Sequence, residues 1–251
     1  MLQQGPTTLA ELFEGHTGPD ISLFIPCLNE EKRVVGAIEK VATACRNTGR
    51  SFEIMVFDDG STDRTYDVVR AYQAAHTEIP IRLFRREKNR GLSYNFTDGA
   101  FFGAGRYYRC VAGDDYESLE SHEAILRELG NADIIVPVYE EVENRGFTRT
   151  FISKTYTWLA NRASGNRIDY YNGFAVYRRW HVLRYSVEGT GFGFQAEIIT
   201  RLLNEGMSYK QLYLKATYGG VTTAFTVRNF VSVSYSLFKI AMRRLRIRLF
   251  K

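Results

Sequence analysis

Acid is what the end of this chain lacks. From Gly206 to Lys251 there is no Asp or Glu against nine Lys or Arg, so the first 205 residues carry a net −4 although the whole chain stands at +5. Such asymmetry points to an anionic partner at the C-terminal end. Long apolar runs are missing as well. No stretch reaches the roughly 18 consecutive apolar residues of a spanning helix, so none is expected. Cysteine is scarce: Cys27, Cys45 and Cys110 are odd in number and lack the short spacing of metal ligands. That excludes a disulfide framework and reads as free thiols in a reducing compartment. His16, His76, His122 and His181 are scattered and form no zinc set. The opening stretch, "MLQQGPTTLAELFEGHTGPD", has neither a basic n-region nor an apolar core, so no signal peptide is expected. Hydrophobic residues make up 45%, enough for a core and too many for a disordered chain.

What is there alternates. "ISLFIP", "SFEIMVF", "IRLFRR", "RYYRCVA" and "ADIIVPV" are short apolar runs that read as buried strands. Between them lie segments with helical spacing. In "NEEKRVVGAIEKVATACRNTG", Asn29 is a candidate cap, acids occupy the first turn and Gly49 ends the helix. Strand–helix alternation of this kind predicts an α/β fold with a mainly parallel sheet and right-handed crossovers. Beyond Val138 the rhythm changes. "YEEVENRGFTRT" reads as a polar loop, "FISKTYTWLANRAS" as a helix, "YYNGFAVYRR" as a strand, "GFQAEIITRLLNEG" as a helix and "SYKQLYLKA" as an edge strand. Residues 1–19 are expected to be a tail, 20–226 the main domain and 227–251 a basic amphipathic helix.

Ligands of open parallel sheets sit beyond the C-terminal ends of the strands. Three strands here end in "PCLNE", "DDGSTD" and "AGDD". Each has two readings. "DDGSTD" is either a tight turn with a helix cap or a pair of carboxylates that accept hydrogen bonds from a base or a ribose. "GDD" is either a solvated turn or a hard-cation site, since Mg²⁺ and Mn²⁺ need few carboxylates beside substrate phosphates. "GAG" at 103–105 is no dinucleotide fingerprint, because position 108 is Tyr.

Taken in order, "IPCLNEE", "FDDGSTD", "NRGLSYNFTDGA", "AGDD", "NGFAVYRR" and "GFGFQAEI" resemble the signatures of family 2 glycosyltransferases, over roughly residues 20 to 240. The look is that of polyprenyl-phosphate sugar synthases such as the dolichol-phosphate mannose synthases. The resemblance implies a GT-A fold, a UDP- or GDP-hexose donor and Mg²⁺ or Mn²⁺. It implies nucleotide-sugar contacts at Pro26, Asn29, Glu30, Asp58, Asp59, Arg90 and Gly91, and metal contacts at Asp114 and Asp115. Ala112 stands where the family's DxD motif has its first Asp, which leaves Asp115 or Glu117 to supply the second oxygen. Gln195 and Glu197 match the acceptor-side acid or glutamine and, with Asp114, are the candidate catalytic residues; Glu197 also reads as a plain helix residue. Arg149 and Ser153 match residues that bind the acceptor phosphate, and Lys215 stands near a later family arginine. The bland reading of "NRGFTRTFISK", with Arg145, Arg149 and Lys154, is a solvated basic loop.

The last helix places Phe230, Val231, Leu237, Phe238, Ala241, Leu245 and Leu249 near one face, with Arg243, Arg244, Arg246, Arg248 and Lys251 at its end. It reads as an interfacial helix on an anionic membrane, the rival being a core-packing helix with a basic tail. No nucleic-acid module accompanies the charge, so no nucleic-acid partner is expected. The expected activity is transfer of a hexose to a polyprenyl phosphate by a peripheral enzyme at the cytoplasmic membrane face. A hydroxyl acceptor and a non-catalytic nucleotide-sugar-binding adaptor are the rivals.

Overall fold

The structure, a computed structural model, describes residues 17–142, 147–185, 193–216 and 227–250. Strands are β1 (Ile21–Cys27), β2 (Phe52–Asp58), β3 (Ile81–Arg85), β4 (Tyr107–Cys110), β5 (Ile134–Val142), β6 (Val176–Arg178) and β7 (Tyr209–Ala216). Helices are α1 (Val34–Asn47), α2 (Thr65–Ala75), α3 (Leu92–Phe102), α4 (Leu119–Arg127), α5 (Phe147–Ser164), α6 (Arg179–Leu183), α7 (Phe194–Asn204) and α8 (Val227–Phe250).

The seven strands form one sheet in the order β3-β2-β1-β4-β6-β5-β7. Only β6 runs against its neighbours, β4 and β5. The rest are parallel, so the ends of β1, β2, β4, β5 and β7 lie along one edge. Side chains of β1 alternate across the sheet. Ile21, Leu23, Ile25 and Cys27 pack with α1 and α4, while Phe24 faces Phe57, Phe96 and Tyr108. Each fully buried Ile, Leu or Phe contributes roughly 1.5–3 kcal/mol of hydrophobic stabilisation. Cys27, Cys45 and Cys110 are buried and unpaired, and burial pushes all three thiols up, Cys45 to about 12.

Two expectations change. The strand read over "YYNGFAVYRR" shrinks to Val176–Arg178, because it is wedged antiparallel between β4 and the start of β5 and pairs over only a few residues. β5 instead runs past Val138 to Val142, because β7 continues beside it across a register shift between Tyr139 and Glu141.

α8 packs on α5 and α7. Ile240 and Ser236 are buried, and Leu237 lies partly buried against the core. The exposed side of the same helix is apolar too, with Tyr235, Phe238, Met242, Leu245 and Leu249. The single face expected from sequence is thus split between core and surface. No helix among the described residues is long and apolar enough to cross a membrane.

Candidate active site

The loops that leave β1 and β2 are stitched to each other. Asn29 does not cap α1, whose first flanking residue is Arg33 and whose first turn holds no acid. Asn29 takes a left-handed φ of 59°, a conformation Asn tolerates better than most residues. Its N–H donates to Ser61 Oγ at 2.9 Å, and its Oδ1 accepts the Thr62 N–H at 2.9 Å. Glu30 N–H donates to Thr65 Oγ1 at 2.8 Å. Glu31 and Asp63 complete the exchange: Glu31 N–H meets Asp63 Oδ2 at 3.2 Å, and Arg64 N–H meets Glu31 Oε2 at 3.0 Å.

The adjacent acids divide their work. Asp58 Oδ1 accepts the Ser61 N–H at 2.9 Å, while its buried Oδ2 has no hydrogen-bond partner and lies 3.7 Å from Arg85 Nε. Asp59 accepts the Arg90 and Gly91 N–H groups, one on each oxygen and each at 2.9 Å, just ahead of α3. The turn depends on Gly60, at φ 81°, where a Cβ would lie 3.0 Å from the Asn89 nitrogen. The Arg90 side chain is exposed and lies over Tyr94.

The loop after β4 closes the site. A Cβ on Gly113 would come within 2.7 Å of the Pro26 carbonyl oxygen, so the loop lies flat against the end of β1. Asp114 follows. Its Oδ1 is buried without a hydrogen-bond partner, and burial pushes its carboxyl up against the pull of Arg33. Burial likewise raises Glu30, although Arg33 Nη2 lies 2.9 Å from Glu30 Oε2. Around Cys27, whose thiol is raised first by burial, stand the carboxylates of Glu30, Asp58, Asp63 and Asp114. Three loops therefore bring acids to one place at the sheet edge.

Asp115 is engaged elsewhere. It has a φ of 57°, and its Oδ2 meets Lys40 Nζ of α1 at 2.9 Å. Glu117 is also committed. It is fully buried between Arg109, an ion-pair partner, and the Tyr139 hydroxyl, a donor. Arg109 also reaches His122 Nδ1 at 2.9 Å. Burial alone would raise the Glu117 carboxyl, but Arg109, His122 and Tyr139 overrule it and hold it low. Burial lowers His122 to about 4, so the ring is neutral and accepts from Arg109. The sequence reading does not single out Arg33, Lys40 or Arg109. The first two carry a signal, because cations seven apart on the helix after "PCLNE" share a face.

On the other half of the edge, α5 opens at Phe147, shortly beyond the end of β5, with Arg149 in its first turn and Ser153 half-buried one turn on. Lys215 stands near the end of β7, side chain exposed, its carbonyl accepting from Ser121 Oγ at 3.3 Å. Gln195 Oε1 accepts the Ala175 N–H at 3.4 Å. Glu197 is taken up by α8: Ser236 Oγ donates to its Oε1 at 2.5 Å, and Lys239 Nζ lies 2.8 Å from its Oε2. Arg145, Lys251, "TYGGVTTAF" and the tail 1–16 lie outside the described residues.

Of the metal candidates, Asp114 alone combines a buried, unpartnered oxygen with no ion pair among the described residues. No cluster of three His, Cys, Asp or Glu capable of holding a metal occurs among the described residues. A hard cation that is shared with substrate phosphates needs only one or two carboxylates, so this donor set fits that mode.

Comparison with solved structures agrees on architecture. A glucosyl-3-phosphoglycerate synthase from Mycobacterium tuberculosis, solved with Mn²⁺, UDP and glucosyl-3-phosphoglycerate, is 17% identical over 97% of this chain and 86% of that one, with a TM-score of 0.64. A mannosyltransferase from Pyrobaculum calidifontis, solved with GDP-Man and Mn²⁺, is 14% identical over 88% of this chain and 65% of that one, with a TM-score of 0.64. Residues 1–349 of TarS from S. aureus are 19% identical over 88% of this chain and 65% of that one, with a TM-score of 0.59. The fold is thus the GT-A arrangement, a mostly parallel sheet flanked by helices. The sequence model described as "Glycosyl transferase family 2" matches residues 22–191, well over half the chain. This chain belongs to glycosyl transferase family 2.

Proposed function

We propose that the chain transfers a hexose, with inversion, from a UDP- or GDP-sugar to a polyprenyl phosphate at the cytoplasmic face of a membrane. The observation that carries the reading is the half-buried Asp114 carboxyl, its Oδ1 buried and unpartnered, on the same sheet edge as Glu30 and Asp58. In this reading Pro26, Asn29, Glu30, Asp58 and Asp59 form the nucleotide cradle with Arg90 and Gly91, and Asp59 acts by holding the 86–91 turn. Asp114 would hold a Mg²⁺ or Mn²⁺ ion, and that ion supplies neutralisation of the departing diphosphate. Asp115 serves the same loop through Lys40.

A phosphate oxygen of the acceptor attacks the anomeric carbon as the bond from that carbon to the nucleotide diphosphate breaks. The nucleophile is already ionised at neutral pH, so no strong base is needed. Two anions must still approach each other, which calls for cations; in this reading Arg149 and Lys215 supply the charge and Ser153 a hydroxyl donor to the acceptor phosphate. Gln195 and Glu197 position that side, Glu197 by tying α7 to α8. Its commitment to Lys239 weighs against a hydroxyl acceptor, which would need a free base.

Membrane contact is supported by α5 and α8 together. They carry nine Lys or Arg and no acid. Phe151, Ile152, Trp158 and Leu159 on α5 are exposed, like the outer stripe of α8. Paired helices of this composition suit an anionic lipid surface, where each nearby cation is worth about 1 kcal/mol.

The test is incubation with a panel of nucleotide sugars, Mn²⁺ and a short polyprenyl phosphate. A hexose mass gain on the lipid is expected. Transfer only to hydroxyl acceptors would overturn the acceptor assignment. Nucleotide binding indifferent to metal, with no sugar released, would make the chain an adaptor.

A further inference from the structure

A second cluster of charge lies at the opposite edge of the sheet. α7 ends at Asn204 and the chain turns into β7 at Tyr209, at the start of the strands rather than their ends. There an open cleft of about 540 Å³ is lined by Arg184, Arg201 and Arg243, with Glu205 as its one acid. Three elements supply the cations: Arg184 follows α6, Arg201 sits in the last turn of α7 and Arg243 projects from α8.

The single carboxylate is spent on one side. Glu205 Oε2 is 3.4 Å from Arg184 Nη1 and also accepts from the Tyr185 hydroxyl. Arg201 lies over the Tyr185 ring, 4.2 Å from its centroid, and has no carboxylate within ion-pair distance among the described residues. Arg243 is half-buried and, among the described residues, makes one long hydrogen bond, 3.5 Å, to the Glu197 carbonyl. Burial, and next to it Arg201, depress the Arg243 guanidinium. Two guanidiniums repel each other beside an open cleft, and among the described residues neither has a carboxylate within ion-pair distance, although Glu197 and Glu205 act on Arg243 from farther off. The C-terminus of α7 favours Arg201 but does nothing for Arg243 on another helix.

We propose that Arg201 and Arg243, assisted by Arg184, form a phosphate-binding site separate from the donor cleft. Guanidinium forks match phosphate oxygens bidentately, which a lone chloride does not exploit. The chemistry is that of a phosphate mono- or diester. Its source is either a free phosphate or a lipid headgroup, since Met242 and Leu245 lie exposed beside Arg243 on α8. This site stands independently of the donor and acceptor assignments.

Thermal melts at constant ionic strength test it, with sodium phosphate against sodium chloride, and vesicle flotation with phosphatidylglycerol against phosphatidylcholine. A Tm rise of a few degrees with phosphate places the source in solution. Phosphate-insensitive melts with flotation on phosphatidylglycerol alone place it in the lipid. In either arm the R201Q/R243Q double variant should lose affinity about tenfold or more, and Glu205→Gln should gain affinity, because it removes the competing carboxylate. UDP-sugar binding should be unchanged in the double variant. If neither arm responds, or if the double variant responds as wild type does, the site does not exist. Were the double variant to fold poorly, Glu205→Gln still decides: affinity equal to or below wild type in both arms overturns the proposal.

Discussion

The two ends of the site edge are built by different means. On the proposed donor side, the loops after β1 and β2 are held by reciprocal hydrogen bonds among Asn29, Glu31, Ser61, Thr62, Asp63 and Arg64, and the loop after β4 by a buried Arg109–Glu117 pair. On the proposed acceptor side, α5, α7 and α8 are joined mainly by apolar packing with, among the described residues, one ionic knot, Glu197 with Ser236 and Lys239, and their outer faces expose aromatics and cations. The first region ties its loops together with its own polar groups, yet leaves the buried Asp58 Oδ2 and Asp114 Oδ1 without a hydrogen-bond partner. The second leaves apolar area and positive charge uncovered. The difference teaches that the loops of the first region hold one another in place without a ligand, which suits a preorganised donor site, whereas the second region leaves surface that suits a partner outside the chain.

The sharpest way to break this contrast is Arg109→Met. Removing one partner of a fully buried pair strands Glu117, and a loss of about 3–5 kcal/mol in urea unfolding is expected. A loss below about 1 kcal/mol would mean the donor loops do not lean on that pair. Next comes Asp114→Asn, nearly the same shape with the charge removed. Turnover should fall about 10²–10³-fold while Tm holds, because the unpartnered oxygen supports no fold contact. Unchanged turnover removes Asp114 from the reaction.

A pH experiment is the third. His122 is held near 4 in the fold against an ordinary value near 6.5. The unfolded chain therefore takes the proton first. The stability this contributes is intact above about pH 6.5 and lost as pH falls towards 4, up to about 3 kcal/mol. His122→Gln should flatten that part of the stability profile relative to wild type; parallel profiles would show that the ring titrates normally. The smallest effect belongs to the other region. Ser236→Ala should cost about 1 kcal/mol and speed hydrogen exchange in α8 without touching donor binding. Slower donor binding in that variant would mean the two regions are coupled.

Much of the fold is legible because apolar runs at 21, 52, 107 and 134 are strands buried on both faces, and such runs need no distant partner to be recognised. The length of β6 is not legible, because "YYNGFAVYRR" has strand composition throughout while its pairing is set by β4 and β5. At the site, the acids of "DDGSTD" and "AGDD" announce themselves by crowding charge at strand ends. Their division of labour does not. Asp59 serves Arg90 and Gly91 some thirty residues away, and Asp115 serves Lys40. The partners of Glu197 are not legible either, because Ser236 and Lys239 are remote in sequence. Burial of Arg109 is equally silent, since an arginine in "RYYRCVA" looks like an outward-facing strand residue until Glu117 and His122 close over it.

The placement of the cysteines has a consequence of its own. Cys27, Cys45 and Cys110 belong to β1, α1 and β4, so every sulfhydryl lies in one half of the molecule, with its ionisation suppressed. An alkylating reagent therefore keeps time for one event only, the opening of that half. Fraying of the helical flank goes unrecorded, and thiol oxidation is blocked while the first half stays shut.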